Sequence, residues 1–143
     1  MSQPPPSPPS GNLPPPIRPL RILLVEDHAD SAAVLSRLLQ RSGHDVHTAS
    51  SVAEARQLAK TLTPAKPLDV VISDLGLPDG SGLELMRELR TNAPIQGIAL
   101  SGYGLDSDRA ASTSAGFARH LVKPVNPRVL TQALAELFAE PQR

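Results

Sequence analysis

The chain has 143 residues, no cysteine and a formal net charge of zero at pH 7. The absence of cysteine excludes a disulfide framework, a zinc–thiolate site and a thiol nucleophile, and the balanced charge gives no sign of a nucleic-acid-binding face. Its apolar runs are far shorter than the roughly 20 residues of a membrane-spanning helix, and no secretory signal begins the chain. We therefore expect one cytoplasmic domain without membrane contact, and its core must be mostly aliphatic because only one Tyr, two Phe and no Trp are present.

The first 20 residues differ in composition from the rest of the chain. Nine of the 16 prolines lie there. Proline restricts φ and lacks a backbone N–H, so such a segment is extended and partly polyproline II. We predict an extended or disordered proline-rich linker over residues 1–20 and a folded domain over residues 21–140. A docking site for a proline-binding module is the alternative interpretation of the linker.

From Arg21 onward, short apolar segments alternate with helical patterns, which is typical of βαβ units and a parallel sheet. The predicted strands cover about residues 21–26, 45–49, 69–73, 96–100 and 119–122. The predicted helices cover about residues 29–42, 51–63 and 107–115, together with a third helix that opens at Ser81 and includes Leu89 and a fifth that starts at Asn126 and includes Phe138. The apolar positions expected to face the sheet are Ala32, Leu35, Leu39, Val52, Ala55, Ala59, Leu62, Leu85, Met86, Leu89, Leu130, Leu134, Leu137 and Phe138.

Several residues predict where these helices begin and end. Ser51-Val-Ala-Glu54 and Ser81-Gly-Leu-Glu84 have the spacing of a capping box, in which the first and fourth residues satisfy free N–H groups. Asn126 is a predicted N-cap, since a proline follows it at the first helical position. Gly43 is a predicted C′ residue of the first helix, and Pro64 is expected to end the second.

Polar side chains follow the predicted strands at the point where each strand ends. They are the acidic pair Glu26–Asp27, then Asp74, Ser101 and Lys123. The carboxyl ends of parallel strands form the binding crevice of an open α/β sheet. Taken singly, each residue has an ordinary explanation as a helix cap, a turn residue or a solvated loop end. Together, three carboxylates suit a hard cation such as Mg²⁺, and a lysine and a hydroxyl suit a phosphate group.

Four motifs contain these residues: Leu24-Val-Glu-Asp27, Ile72-Ser-Asp-Leu-Gly-Leu-Pro-Asp-Gly-Ser-Gly82, Ala99-Leu-Ser-Gly102 and Leu121-Val-Lys-Pro124. Over about residues 20–140 the chain resembles the response-regulator receiver domain family. The resemblance implies an α/β fold, a doubly wound five-stranded parallel sheet in the order 2-1-3-4-5, with the flavodoxin-like (βα)5 arrangement. It also implies a role in two-component (phosphorelay) signalling, with a histidine kinase or histidine phosphotransfer domain as the partner.

The resemblance assigns a role to each acidic residue. Asp74 matches the aspartate that receives a phosphoryl group from a phosphohistidine. Asp27 and Asp74 match direct Mg²⁺ ligands, Glu26 matches an acid that usually acts through a water, and the carbonyl of Gly76 matches a backbone ligand. Glutamate at position 26 replaces the commoner aspartate, a frequent variation that is not expected to abolish metal binding.

The remaining roles concern the switch. Lys123 matches the lysine that pairs with the phosphoryl group, and Ser101 matches the hydroxyl that moves to bond a phosphoryl oxygen after transfer. His120 stands where the family usually has Tyr or Phe, a ring that swings inward on activation. The imidazole is smaller and titrates near neutral pH, so the switch is expected to be weaker, pH-sensitive or routed differently. The alternative is that His120 simply lies half-exposed on the sheet edge.

Several alternatives stay open at this stage. The proline-rich leader and the Arg119–Pro124 ending resemble the C-terminal receivers of hybrid sensor histidine kinases, which is the preferred origin; a free-standing single-domain regulator and a degenerate receiver that is never phosphorylated are the others. An aspartate-nucleophile phosphohydrolase is disfavoured, because Gly76 stands where its general acid belongs. No independent turnover enzyme is expected. Self-association through the fourth helix, fifth strand and fifth helix is an expectation from the family.

Overall fold

A computed structural model describes residues 17–62, 66–102 and 106–139 of the chain. The prediction of an extended leader therefore lies mostly outside the described residues, and so does Pro64. The strands are β1 (Arg21–Val25), β2 (Asp45–Ala49), β3 (Val70–Asp74), β4 (Gly76–Leu77), β5 (Gly80–Ser81), β6 (Gln96–Ser101) and β7 (Arg119–Val122). The helices are α1 (Ala29–Arg41), α2 (Val52–Leu62), α3 (Gly82–Asn92), α4 (Asp106–Ala115) and α5 (Pro127–Phe138). In the part of the chain that the structure describes, no helix combines the length and apolarity that crossing a membrane requires.

Five parallel strands form the main sheet, in the order β2-β1-β3-β6-β7. Counting only these strands, the order is 2-1-3-4-5, so the predicted doubly wound fold is confirmed. The small antiparallel pair of β4 and β5 was not predicted. Each of its strands has two residues, too few to show the alternation that identifies a strand in a sequence.

The core lies on both faces of the sheet, because helices pack against each of them. On one face, Leu23 and Val25 of β1 pack in a cluster with residues of α2 and α3. On the other, Ile22 and Leu24 pack with residues of α1 and α5. The central strands β1 and β3 are thus covered on both faces, as parallel strands normally are. The predicted apolar faces of α2 and α5 are confirmed.

The segment before β1 is tied to the amino edge of the sheet. Leu20 is buried and donates its backbone N–H to Nδ1 of His44 at 2.9 Å. Asp69 accepts the Arg21 N–H at 2.7 Å and an Arg18 Nη2 hydrogen at 2.9 Å. Burial lowers the pKa of His44, although the charge of Asp69 opposes this shift. The ring of His44 therefore acts as a neutral acceptor inside the fold.

Three of the predicted helix ends have the expected geometry. Gly43 follows α1 with φ +96°, a conformation that glycine adopts without steric cost. Asn126 Oδ1 accepts the Arg128 N–H at 2.8 Å at the start of α5. The Ser81 side chain accepts the Leu83 N–H at 3.0 Å at the start of α3.

The start of α2 has a second cap that the sequence pattern did not predict. Ser51 Oγ accepts the Glu54 N–H at 3.1 Å, as a capping box requires. In addition, Asp79 Oδ1 accepts the Val52 N–H at 2.7 Å, and its Oδ2 accepts the Ala53 N–H at 3.0 Å. These two hydrogen bonds lower the pKa of Asp79. Asp79 lies between β4 and β5, so it joins the loop after β3 to the neighbouring helix.

Candidate functional site at the carboxyl edge of the sheet

The polar residues predicted to converge do lie at one edge of the sheet. Glu26 directly follows β1, Asp74 ends β3, Ser101 ends β6 and Lys123 directly follows β7. The backbone N–H of Lys123 donates to the Ser101 carbonyl at 2.7 Å, which continues the pairing of β6 and β7 by one bond. The Lys123–Pro124 peptide bond is cis.

Lys123 is held between two buried acids. Its Nζ lies 2.8 Å from Glu26 Oε1 and 2.7 Å from Asp74 Oδ1. The side chain of Glu26 is fully buried and that of Asp74 is only 6% exposed, whereas Lys123 keeps 24% exposure. Buried carboxylates are costly unless they are paired. One ammonium group here serves two acids, which leaves the pair short of positive charge.

With so little positive charge, the pKa values of the two acids shift in opposite directions. Burial and a hydrogen bond with Glu26 raise the pKa of Asp74 to about 7, against the opposing effect of Lys123. Burial also raises the pKa of Glu26, but hydrogen bonds with Asp74, Lys123 and the backbone of His28 together lower it to about 2. Two carboxylates this close do not both ionise readily. As pH falls, the pair therefore takes up its first proton on Asp74, at a higher pH than an ordinary carboxyl group would.

Four residues at this edge offer metal-ligand atoms within 4.8 Å of one another: Glu26, Asp27, His28 and Asp74. Three of the four offer carboxylate oxygens, which are the ligands that hard divalent cations prefer. A cation would also compete with the proton that Asp74 takes up and would relieve the repulsion between the acids. The residues present thus fit a hard divalent cation.

His28 was not among the predicted site residues. Its Nδ1 lies 3.3 Å from Glu26 Oε2 and 3.5 Å from Asp27 Oδ1, although the side chain is 72% exposed. The signal was present in the sequence, because the histidine directly follows the acidic pair. It was missed because the pair was interpreted as an all-carboxylate cluster.

The backbone carbonyl of Asp74 is in close contact with the side chain of Ser73 and with Gly82 at the start of α3. Ser73 is fully buried, and its Oγ donates to the Asp74 carbonyl at 2.8 Å. The N–H of Gly82 donates to the Leu75 carbonyl at 2.9 Å. A Cβ atom at Gly82 would overlap the Asp74 carbonyl oxygen. Only glycine therefore allows α3 to begin this close to the end of β3.

Ser101, the polar residue that ends β6, contacts the ring of His120. Ser101 is buried, and its Oγ lies 2.7 Å from Nε2 of His120. Nδ1 of the same ring lies 3.3 Å from Oγ of Ser112 on α4, and Ser112 is also buried. His120 is half-buried on the edge strand β7. The ring thus joins β6 to α4 rather than standing alone at the sheet edge.

A cavity of about 560 Å³ lies beside the acidic cluster. Glu26 and Lys123 form part of its wall, and α1 and the segment after β7 form the rest. Apolar side chains of Val34, Leu35 and Val125 line it next to these charged groups. The cluster is therefore reached from a surface that combines apolar contacts with charge.

Comparison with known proteins agrees with this geometry. Residues 22–135 match the family described as response regulator receiver domain. The chain is 31% identical over 119 residues to the transcriptional regulatory protein AruR of Pseudomonas aeruginosa, covering 82% of this chain and 49% of that protein. It is 34% identical over 110 residues to the aerobic respiration control protein ArcA of Escherichia coli K12, covering 77% of this chain and 44% of that protein. The chain thus spans about half the length of these curated relatives.

Solved structures show the same likeness. A response regulator receiver domain protein from Methanospirillum hungatei JF-1 is similar with a TM-score of 0.75 and 26% identity, covering 84% of this chain and 94% of that one. The BeF3-activated DrrB receiver domain is similar with a TM-score of 0.71 and 26% identity, covering 87% of this chain and 100% of that one. The family match over residues 22–135 includes nearly every strand and helix described above. The chain belongs to the response regulator receiver domain family of two-component signalling.

Proposed function

We propose that this receiver accepts a phosphoryl group from a phosphohistidine onto Asp74, in the presence of Mg²⁺, and changes conformation as a result. The observation that carries the proposal is the cluster at the carboxyl edge, where Lys123 lies within 2.8 Å of both Glu26 and Asp74. A buried carboxyl group that has a raised pKa and lies beside the ammonium group of a lysine is typical of functional sites. The cluster matches what transfer to an aspartate requires, because phosphoryl transfer depends mainly on positioning and charge neutralisation.

Asp74 acts as the nucleophile in this proposal. A deprotonated carboxylate oxygen attacks the phosphorus atom, a P–O bond forms, and the P–N bond to the donor imidazole breaks. The imidazole nitrogen leaves with the bonding electron pair and takes up a proton from solvent. Because burial and Glu26 raise the pKa of Asp74 to about 7, a proton on Asp74 must leave before the attack.

Asp27 and Asp74 would hold Mg²⁺ directly, Glu26 would act through a water, and the Gly76 carbonyl would complete the protein ligands. The bound cation supplies positive charge, which offsets the repulsion between an anionic nucleophile and an anionic phosphoryl group. His28 lies at the rim of the same cluster. Its exposed ring is better placed to orient the neighbouring acids than to be a permanent ligand of a hard cation.

Lys123 and Ser101 act after the transfer. The ammonium group of Lys123 exchanges its contact with Asp74 Oδ1 for a phosphoryl oxygen, since Asp74 then carries the phosphoryl group. The Ser101 hydroxyl donates to another phosphoryl oxygen. Because Ser101 contacts the ring that joins β6 to α4, this movement is transmitted to α4, a local event of the kind that biases a two-state element.

The partner that we propose is a histidine kinase or a histidine phosphotransfer domain. It would approach through the cavity beside α1, which has Lys123 in its wall. Val34 on α1 is 62% exposed there and offers an apolar contact beside the charged cluster. An apolar helix surface of the donor fits this position, with its phosphohistidine directed at Asp74.

The relatives favour a regulator over a kinase fragment. AruR and ArcA are named as regulatory and control proteins. The origin from a hybrid histidine kinase stays a prediction, and so does self-association through α4, β7 and α5. A degenerate receiver that is never phosphorylated is the second candidate function, and it is the outcome to exclude first.

The test is incubation with acetyl phosphate or phosphoramidate and Mg²⁺, followed by intact mass measurement. We expect wild type to gain one phosphoryl group and Asp74→Asn to gain none. Asp79→Asn is the matched control, because Asp79 lies in the same loop but its carboxylate binds the N–H groups of α2. Labelling of Asp74→Asn would place the phosphoacceptor elsewhere. No labelling of any variant, together with no Mg²⁺ binding in a titration, would favour the degenerate receiver.

A further inference from the structure

His28 lies where the acidic cluster meets the start of α1. It occupies the N-cap position of that helix, but its side chain makes no capping hydrogen bond. Instead, its Nδ1 lies 3.3 Å from Glu26 Oε2 and 3.5 Å from Asp27 Oδ1. The backbone N–H of His28 donates to the same Glu26 oxygen at 3.2 Å. The ring nitrogen is therefore held toward the two acids, while 72% of the side chain is exposed to solvent.

The two carboxylate oxygens of Glu26 face different partners. Oε1 lies 2.8 Å from Lys123 Nζ, and Oε2 lies on the side of His28. Lys123 also contacts Asp74 Oδ1 at 2.7 Å. An ion bound by Glu26 Oε2, Asp27 and His28 would therefore leave both contacts of the lysine in place. The Mg²⁺ site proposed above differs from this arrangement, because Asp74 is one of its direct ligands.

The spacing between the ring nitrogen and the two oxygens suits a tetrahedral ion. Two ligand atoms bound to tetrahedral Zn²⁺ at about 2.0–2.1 Å lie about 3.4 Å apart. Adjacent ligand atoms of octahedral Mg²⁺, at similar bond lengths, lie about 2.9 Å apart. The distances of 3.3 Å and 3.5 Å from His28 Nδ1 match the tetrahedral value.

The types of ligand point to the same class of ion. Imidazole nitrogen suits Zn²⁺ and similar borderline cations, whereas Mg²⁺ prefers an all-oxygen shell. Two carboxylates and a neutral imidazole also balance the charge of a divalent ion. Three protein ligands with a water in the fourth position are typical of zinc sites that stay open to solvent, and the exposure of the His28 ring shows that solvent reaches this side of the cluster.

We propose that His28 is a metal ligand that gives this site a preference for a borderline divalent cation, with Zn²⁺ as its representative. Glu26 Oε2, Asp27 Oδ1 and His28 Nδ1 bind the ion directly. The inference rests on the proposed function, because it concerns the cation site of the same acidic cluster. It adds a second mode of metal binding, in which Lys123 stays on Asp74.

The two modes of metal binding exclude each other because both use Asp27. In the proposed function Asp27 and Asp74 bind Mg²⁺ directly, and Lys123 exchanges its contact with Asp74 for a phosphoryl oxygen. When Asp27 binds Zn²⁺ together with His28, it is not available to Mg²⁺. We therefore expect Zn²⁺ to compete with Mg²⁺ and to slow phosphorylation of Asp74.

The test is calorimetric titration of the full chain with Zn²⁺, in the presence of a competing chelator, and separately with Mg²⁺. Tighter binding of Zn²⁺ is not sufficient by itself, because Zn²⁺ stands high in the general order of metal affinities. The decisive quantity is the ratio of Zn²⁺ affinity to Mg²⁺ affinity in His28→Asn relative to wild type. We expect this ratio to fall about tenfold or more, since even the loss of an outer-shell partner has an effect of this size. The fall should come from weaker Zn²⁺ binding, with Mg²⁺ binding nearly unchanged.

The variants are chosen to leave the fold intact. Asparagine is a preferred N-cap residue, so His28→Asn preserves the start of α1. His47→Asn is the matched control, because His47 Nε2 also lies near an acid, 3.2 Å from Asp45 Oδ1, but within β2 rather than at the carboxyl edge. We expect His47→Asn to leave both affinities as they are in wild type.

Three results would overturn the inference. An equal loss of affinity for both cations in His28→Asn would show that the ring only orients the acids. A loss of Zn²⁺ affinity in His47→Asn as large as that in His28→Asn would place the ion elsewhere. Zn²⁺ that binds without raising the apparent Kd for Mg²⁺ would exclude a shared ligand. Failure of the proposed function is distinct from these results: wild type that binds Zn²⁺ through His28 but does not bind Mg²⁺ would support the inference and contradict the use of Mg²⁺.

Labelling with acetyl phosphate at a fixed Mg²⁺ concentration supplies a second readout. We expect added Zn²⁺ to slow labelling of wild type more than labelling of His28→Asn, as measured by intact mass. Equal slowing of the two proteins would contradict competition through His28.

NMR of the histidine rings identifies the ligand atom itself. The His28 signals are assigned by their loss in His28→Asn, since the chain has four histidines. We expect one equivalent of Zn²⁺ to shift the Nδ1 nitrogen signal of His28, and saturating Mg²⁺ to leave it nearly unchanged. A Zn²⁺-dependent shift confined to Nε2 would place the ion outside the acidic cluster and would overturn the inference.

Discussion

The two edges of the sheet place buried ionisable groups in opposite situations. At the amino edge, Asp69 accepts hydrogen bonds from Arg18 and from the Arg21 N–H, which lower its pKa although burial raises it. At the carboxyl edge, Glu26 and Asp74 share Lys123, and the pKa of Asp74 rises to about 7. The buried carboxylate at the amino edge is satisfied by its own partners. At the carboxyl edge one ammonium group serves two buried acids, which leaves that pair short of positive charge.

This difference between the two edges shows that one part of the fold contributes to stability while another carries groups suited to function. Buried polar groups with complete partners specify the position of the chain at little cost. Acids that repel each other cost stability and are retained where a charge must later be accommodated. Substitutions that remove a buried ionisable group should therefore change stability with opposite sign at the two edges.

The largest expected effect on stability comes from Gly82→Ala, which introduces a steric clash at the carboxyl edge of the sheet. A Cβ atom there would overlap the Asp74 carbonyl oxygen, so the backbone must shift. We expect the free energy of unfolding to fall by about 2–3 kcal/mol, as in overpacked cores, in urea unfolding of wild type and variant. Gly76→Ala is the matched control, because nothing lies within 4 Å of its Cβ position. Equal effects of the two substitutions would contradict the proposed contact.

At the amino edge, His44→Ala should be the most harmful of the histidine substitutions. It removes the acceptor of the Leu20 N–H, and an unsatisfied buried donor costs about 1–3 kcal/mol. Urea unfolding should show a loss in this range, with partial recovery in His44→Asn, whose Oδ1 can replace Nδ1. The control is His47→Ala, since His47 pairs with the exposed side chain of Asp45. A loss in His47→Ala as large as that in His44→Ala would refute the assignment.

Asp74→Asn should stabilise the protein, unlike either substitution above. The pKa of Asp74 is raised from 3.8 to about 7, so the folded state binds the proton more tightly than the unfolded chain. Its contribution to stability is therefore present below about pH 4 and is lost as pH rises toward 7. Without Mg²⁺ at about pH 8, we expect the variant to gain roughly 1 kcal/mol, a value reduced for the solvent that reaches the site.

Thermal unfolding of wild type and Asp74→Asn across this pH range tests the point. Mg²⁺ should stabilise wild type more than the variant, because the cation relieves repulsion that the variant lacks. Asp30→Asn serves as the control, since Asp30 is an exposed acid on α1. A variant less stable than wild type at the higher pH would show that Asp74 is not destabilised by its neighbours.

The smallest expected effect is a pH dependence of stability at the amino edge. Its sign is opposite to that expected for Asp74, because here stability is lost as pH falls. Burial lowers the pKa of His44 from 6.5, so the unfolded chain takes up the proton first as pH falls. The stability contributed by the neutral ring is complete above about pH 6.5 and is lost as pH falls through lower values. Urea midpoints at about pH 7.5 and about pH 5.5 should converge in His44→Asn. An unchanged pH dependence in that variant would assign the effect to another group.

The resemblance to the receiver domain family implied the order of the main sheet.

One end of most helices and the apolar faces of α2 and α5 could be predicted from the sequence pattern itself. These features depend on residues near one another in the chain: Gly43 ends α1, Asn126 begins α5, and the apolar spacing identifies each buried face. The polar residues at the strand ends were also predictable, because parallel strands bring their carboxyl ends to one edge.

The tertiary structure decided what depends on distant contacts. Asp79 caps α2 from 27 residues away, and nothing in the local pattern identifies its partner. His120 meets Ser101 across 19 residues and Ser112 across 8, so the sequence alone left its role open between a switch and an edge residue. The division of charge between Glu26 and Asp74 depends on burial and on the position of a single ammonium group. The energy of such interactions depends on the distances between the charges and on their burial, and only the folded chain sets both.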